Sequence, residues 1–487
     1  MAVFASCMIA AACSSADLQD DTITLGFTLE PVNLDISGTA GQAIPQVLLS
    51  NVYEGLVRVA DDGSIVPALA EKYSVSDDGL TYAFELRSAK FHDGTELTAD
   101  DVVWSISRLL DDASTEILPT QLAQFSRVAN VVGDGRSVTI TLSERDNDFF
   151  YSLTQRGGVI FKANSSNFAN SANGTGPFVL GNWDKGSSIT LERFDAYWAR
   201  KADTRTVVFR YFTDANALSN AVLAGDIDVM TTVQSPETLS VFEQRDDLSV
   251  LKGSTNCEVT LGMNNSRAPF DDVRVRTAVR QAIDKNALIS AAWAGFGTRI
   301  GSFVPPTDAW YEDLTNIAPY DVDAAKSLLN EVGVAEGTKI TLDIPPINYA
   351  TNSSEFLADA LGKVGFDVAI VPVTWEEWLD RVFTKADYDL TIVCHIERND
   401  MAIYANPGYY FRFDNAEYQK HISDAALATR PSDRVESLRS AARVLSEQSA
   451  SDWLWLIPNL QVANRTVSGI PLNSVGDAYF VARINRN

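Results

Sequence analysis

Strand-like and helix-like segments alternate along most of this 487-residue chain, and that alternation predicts an α/β fold. Two further observations refine the expectation. In the second half, the strand-like runs 339–344 and 367–373 are spaced by amphipathic helices, which predicts a mainly parallel sheet. The length exceeds what one compact core accommodates, yet no internal repeat or low-complexity linker marks a boundary. A chain that passes between two lobes more than once satisfies both facts.

Ile23 to Phe27 reads as the first strand, with a loop from Leu34 to Gly41 after it. Leu80, Tyr82, Phe84 and Leu86 recur at every second position and so lie on one face, the pattern of a half-buried strand. Thr98 and Asp101 form a capping-box-like pair that starts a helix carrying Val102, Val103, Ile106 and Leu109. Residues 138–142, 189–191 and 207–212 are further strands. From Asp272 the period becomes helical, with Val275, Ala278, Val279, Ala282 and Ile283 on one face. Helices follow over 322–332, stopped by Gly333, and over 354–364, stopped by Gly365. Thr374 and Glu377 make a capping box that opens a short helix to about Phe383.

Composition limits the function. The chain is 46% hydrophobic and 21% charged, an ordinary globular balance. Its formal net charge of -25 argues against nucleic acid and against direct contact with anionic lipid, since both need basic patches. That acidity keeps the chain soluble, and a field favouring cationic ligands is a secondary reading. No internal run approaches the length of a membrane-spanning helix. Residues 2–12 are small and apolar and lead to Ala10-Ala11-Ala12-Cys13-Ser14-Ser15, which looks like the end of a bacterial lipoprotein signal with Cys13 as the lipidated residue. A non-lipidated export signal is the alternative. Residues 1–16 are read as this anchor region. Cys257 and Cys394 each lie near the end of a strand-like run, so they form either a disulfide or two buried free thiols.

Five blocks stand in a fixed order. The first is Asn51-Val52-Tyr53-Glu54-Gly55-Leu56. The second joins Asp78-Gly79-Leu80-Thr81-Tyr82 and Lys90-Phe91-His92-Asp93-Gly94 to Leu97-Thr98-Ala99-Asp100-Asp101-Val102-Val103-Trp104. The third is Gly174-Thr175-Gly176-Pro177-Phe178, with Trp183, Gly186 and Tyr197-Trp198 behind it. The fourth is Pro269-Phe270-Asp271-Asp272-Val273-Arg274-Val275-Arg276, and the fifth runs from Tyr320-Asp321 through Ala324 to Leu329. Together they resemble the large extracytoplasmic solute-binding proteins of peptide and nickel ABC importers.

The resemblance implies a two-lobed periplasmic-binding-protein fold with the ligand cleft between lobes. Lobe one takes 17–48, 174–258 and 461–487, an extra subdomain takes 49–173, and lobe two takes 259–460. The strands 259–263 and 453–463 would cross between lobes. The implied partners are a peptide or other small solute and the permease subunits of an ABC importer. The implied place is outside the cytoplasmic membrane, and the protein is expected to be a monomer without cofactor or bound metal.

In peptide-binding relatives, the loop after the strand at 390–393 presents an acid to the ligand's α-amino group. Glu397 and then Asp400 are the candidates here, because a charge-assisted hydrogen bond to an ammonium survives partial burial. The alternative is that both are surface acids or partners of Arg398. Val393-Cys394-His395 replaces the Gly-Trp pair usual in relatives, which leaves an opine, an oligosaccharide or a metal chelate open as ligand. Tyr404 and Tyr409 supply aromatic surface in the same loop. Trp104 either stacks on ligand or anchors its helix, and Trp375 near its helix start either reaches the cleft or packs. Thr39 and Ala40 lie in a loop of small residues that allows close approach of a ligand. Trp453 and Trp455 read as packing residues.

Catalysis finds little material. His395-Ile396-Glu397 lacks the Pro-Cys-x-x-Cys of zinc deaminases, and Gly295 to Gly301 is one residue off a dinucleotide fingerprint. An exported chaperone or adhesin reusing the fold is the reading from another class.

Overall fold

The computed structural model describes residues 21–111, 116–233, 235–396 and 400–487. Two sheets organise it. The larger has seven strands in the order Leu248–Gly253, Asn459–Asn464, Val229–Met230, Thr22–Phe27, Thr206–Tyr211, Ser188–Arg193 and Phe178–Asp184. Thr22–Phe27 runs parallel to both Thr206–Tyr211 and Val229–Met230, and the remaining pairs are antiparallel. Ile23, Leu25 and Phe27 alternate onto one core with Ile189, Leu191, Val207 and Phe209. The opposite side packs Leu218 and Val222 of the helix Ala215–Ala224 over Met230, Leu248, Leu460 and Val462.

The second sheet has five strands, ordered Phe366–Pro372, Thr338–Ile344, Leu390–His395, Glu258–Met263 and Ser451–Leu456. It is mixed rather than mainly parallel. Thr338–Ile344 is parallel to both neighbours, whereas Glu258–Met263 pairs antiparallel with Leu390–His395 and with Ser451–Leu456. The reason is connectivity: Glu258–Met263 enters the sheet from the crossing between lobes, in the opposite direction to both of its neighbours. Helices Val273–Ala282, Val322–Glu331 and Asn348–Gly362 cover one face. Their starts are fixed as expected, Asp272 accepting from the Arg274 N–H at 2.8 Å and Asp321 from the Ala324 N–H at 2.9 Å. The helix expected from Ser354 begins six residues earlier, because Tyr349 and Ala350 already face the core. The Thr374–Glu377 box is formed, with Glu377 Oε2 accepting from the Thr374 N–H at 2.8 Å and Thr374 Oγ1 from the Glu377 N–H at 3.2 Å. Three residues later that helix widens into a π-helical stretch, Trp378–Thr384.

A third sheet, ordered Ala70–Val75, Thr81–Leu86, Ser137–Leu142 and Val128–Asp134, builds the appended unit. Tyr82, Phe84 and Leu86 are buried on one face against Val102 and Ile106 of the helix Ala99–Ser107. That alternation is the one the sequence displays, and each such side chain contributes about 1.5–3 kcal/mol by burial.

The chain passes from the seven-stranded to the five-stranded sheet at 254–257 and returns at 457–458. The strand expected over 453–463 is therefore two strands, broken where Pro458 has no N–H to give to a ladder. The two crossings are tied together. Thr255 Oγ1 donates to the Ile457 carbonyl at 2.6 Å, and the Ile457 N–H donates to the Cys257 carbonyl at 3.0 Å. Two short crossings side by side are the geometry of a hinge.

Candidate functional site

A cavity of about 780 Å³ lies between the lobes at these crossings. One wall comes from the appended unit, chiefly Asn147 to Gln155, and from the C-terminal segment Ser474 to Asp477. The facing wall is Trp310, Ile396, Met401, Arg434 and Leu438, and Thr255, Asn256 and Cys257 close the end at the hinge. Polar side chains such as Gln42, Asn147, Gln155 and Asn256 stand among aromatic and aliphatic ones, and Asp148, Arg434 and Asp477 are charged, so the walls mix apolar surface with groups that fix orientation. The cavity opens near the carboxyl ends of the parallel strands Thr22–Phe27 and Val229–Met230. There Thr28, Thr231 and Thr232 line a side hollow of about 230 Å³ that shares Gln42 and Ser474 with the main cavity.

The rim of the cavity is held by contacts between lobes. Asn147 Nδ2 donates to the Ala425 and Ala426 carbonyls at 2.9 and 2.7 Å, at the end of the helix Ala416–Leu427. Asp148 pairs with Arg434 of the helix Pro431–Glu447 at 2.7 Å. Cys257 and Cys394 are joined in a disulfide with Cα atoms 5.4 Å apart. That link fixes the first crossing to the end of the strand that leads to Ile396.

The residues singled out from sequence fall in several places. Glu397 and Cys13 lie outside the described residues. Asp400 opens the short 3-10 turn Asp400–Ala405, just before Met401 of the cavity wall. Ala40 lines a hollow of about 290 Å³ that shares Gln124, Gln155 and Asp477 with the main cavity. Thr39 lies beside it, its carbonyl accepting from Arg156 Nη1 at 3.0 Å.

None of the aromatic candidates is among the residues that line the cavity. Tyr404 is buried, stacked on Phe411 at 4.5 Å, with its hydroxyl donating to Ser451 Oγ at 2.9 Å. Tyr409 sits among Phe383, Tyr410 and Phe411. Trp104 packs on the first lobe's core under the Arg108 guanidinium, 5.1 Å from the ring. Trp375 is 41% exposed and meets Trp378 edge-on. Trp453 and Trp455 are fully buried. Sequence reasoning missed Trp310, Met401, Arg434 and Asp477, which carry no local motif.

Asp477 is one of the three charged residues on the cavity wall. Burial pushes its carboxyl above the ordinary value, with Arg156 opposing.

The fold and this interlobe cavity define a two-lobed solute-binding protein. The chain matches the family profile described as bacterial extracellular solute-binding proteins, family 5, over residues 64–416, and belongs to that family. It is 28% identical over 444 residues to Di/tripeptide-binding protein 1 of Pseudomonas aeruginosa, covering 83% of this chain and 81% of that one. It is 29% identical over 462 residues to Heme-binding protein A of Haemophilus influenzae, covering 85% and 83%. The solved structure of HbpA2 from Haemophilus parasuis superposes with a TM-score of 0.86 at 22% identity, covering 96% of this chain and all of that one. Among the described residues no helix is long and apolar enough to cross a membrane.

Proposed function

We propose that this protein captures a short peptide outside the cytoplasmic membrane and delivers it to the transmembrane subunits of an ABC importer. One observation carries the reading. A chain similar along most of its length to a di/tripeptide-binding protein encloses, between hinged lobes, a cavity of about 780 Å³ whose walls mix apolar side chains with amides and a few charges. Apolar surface admits varied side chains, and closure about the crossings presents a surface of both lobes to the permease. The protein binds and releases its cargo without altering it. Glu397, or Asp400 further along the segment that follows the strand Leu390–His395, anchors the ligand's α-amino group. Glu397→Gln is then expected to weaken peptide binding by about 1.5–3 kcal/mol in calorimetric titration, the value of a hydrogen bond to a charged group. Unchanged affinity would remove that assignment.

Native mass spectrometry of the protein purified without denaturation tests the function itself. Bound mass that fragments into amino-acid residues supports peptide capture, whereas an intact metal chelate, opine or sugar adduct replaces it with that ligand. The run Ala10-Ala11-Ala12-Cys13 supports a lipid anchor on Cys13. Cys13→Ala in the exported protein is expected to move it from the membrane fraction to the soluble one, and continued membrane retention would refute the anchor.

A further inference from the structure

Asp477 stands where three hollows meet. It and Gln155 line the main cavity, the hollow beside Ala40 and Gly41, and a narrow one beside Arg58 and Thr154. Both smaller hollows are built from first-lobe residues and the appended unit alone, so Asp477 belongs to the wall facing Trp310, Ile396 and Leu438.

Among the described residues no hydrogen-bond donor and no ion-pair partner reaches the Asp477 carboxylate. The cation nearest in effect is Arg156, whose Nη1 and Nη2 are already given to the Thr39 and Gly41 carbonyls at 3.0 and 2.8 Å. The Gln155 amide spends its Nε2 on Thr154 Oγ1 at 3.0 Å, which leaves its oxygen as an acceptor at the same junction. The other charges on the main cavity, Asp148 and Arg434, are paired with each other. A half-buried carboxylate beside an amide oxygen that has no donor of its own, with its neighbouring cation engaged elsewhere, presents unfilled acceptors. In a partly desolvated place such a group gains most from a charged donor, because a charge-assisted hydrogen bond is worth about twice a neutral one. The C-terminal segment is also held rigidly. Asn51 Nδ2 donates to the Tyr479 carbonyl at 2.8 Å, and the Val481 N–H donates to Asn51 Oδ1 at 3.0 Å.

We propose that Asp477, with the Gln155 amide oxygen, is a subsite for a second cationic group of the ligand, selecting peptides that carry a lysine-type or arginine-type side chain. This rests on the peptide reading above. It adds a specificity element on the lobe-one wall, opposite the loop that would hold the α-amino group. A protein with a net charge of -25 concentrates such ligands around itself before capture.

The test titrates wild type and Asp477→Asn with two pools of tetrapeptides, one with lysine scanned through an alanine background and one with norleucine in its place. Wild type is expected to bind the lysine pool roughly tenfold more tightly than the norleucine pool. Asp477→Asn is expected to bring that ratio to about one, while its far-UV circular dichroism matches wild type and shows an intact fold. Equal affinities in wild type, or a lysine preference that survives in Asp477→Asn, overturn the subsite and leave peptide capture standing. If neither pool binds wild type, peptide capture fails, and cadaverine alone decides the subsite. A rise in wild-type melting temperature that Asp477→Asn lacks sustains a cation site, and an equal response in both proteins overturns it.

Discussion

Glu54→Ala is expected to lower the free energy of unfolding by about 3–5 kcal/mol, with the cavity residues untouched. Glu54 is 4% exposed and collects three donors: Thr175 Oγ1 and Trp198 Nε1 at 2.9 Å, and Tyr197 Oη at 2.8 Å. Removing the carboxyl leaves those donors buried without an acceptor, at about 1–3 kcal/mol each before relaxation. The same knot explains the glycines of the third block. A Cβ on Gly174 would come within 1.9 Å of the Val52 carbonyl oxygen, and one on Gly176 within 2.4 Å of that of Asn51. Arg87 lies over the Trp198 ring at 4.0 Å, and His92 closes the group from the second block. Three of the five family blocks thus meet in one place and hold the appended unit to the first lobe. Urea denaturation of wild type and variant measures the effect, and a loss under about 1 kcal/mol would deny the knot this role.

That knot shows what was legible in the sequence and what was not. The family blocks identified the fold because they are the residues that build it. Strands such as Thr81–Leu86 were readable from period-two burial, and helix starts from Asp272, Asp321 and Thr374, because those signals are local. The mixed pairing of the second sheet was not, since the direction of Glu258–Met263 is set by where the chain crosses between lobes. The cavity was least legible of all. Gln42, Asp148, Asn256, Trp310, Arg434 and Asp477 come together only through that double crossing, and nothing in the neighbours of each marks it as a wall. Aromatic density in the loop around Tyr404 suggested a pocket, but those rings pack on one another beneath the second lobe's sheet. A run of aromatics registers burial, and burial by ligand and burial by core look alike in one dimension.

The knot also sets an opposed pair of pH dependences, and separating them is the second large effect. Burial raises the Glu54 carboxyl from its ordinary 4.5 to about 7, outweighing the donors from Trp198, Tyr197 and Thr175. Burial lowers His92 from 6.5 to about 4, against its contact with the Gly176 carbonyl. The Gly174 N–H donates to His92 Nδ1 at 3.3 Å, so the neutral ring carries its proton on Nε2 and donates it to the Gly176 carbonyl at 3.0 Å. Between pH 4.5 and 7 the folded chain keeps a proton on Glu54 that the unfolded chain releases. That contribution to stability is whole below 4.5 and is lost as pH rises through about 7. Between pH 4 and 6.5 the unfolded chain takes a proton on His92 that the folded chain refuses. That contribution is whole above 6.5 and is lost as pH falls through about 4. Each amounts to about 3 kcal/mol, and they run in opposite directions where the windows overlap. Relative to wild type, Glu54→Gln is therefore expected to gain about 3 kcal/mol as pH rises from 4.5 to 7. His92→Gln is expected to lose a similar amount, about 3 kcal/mol, from pH 4 to 6.5. The double variant should track wild type across the overlap, because the two slopes cancel. Urea midpoints measured at half-unit pH steps decide it. Slopes of the same sign in both single variants, or no slope in either, would mean that burial does not hold Glu54 protonated and His92 neutral at this junction.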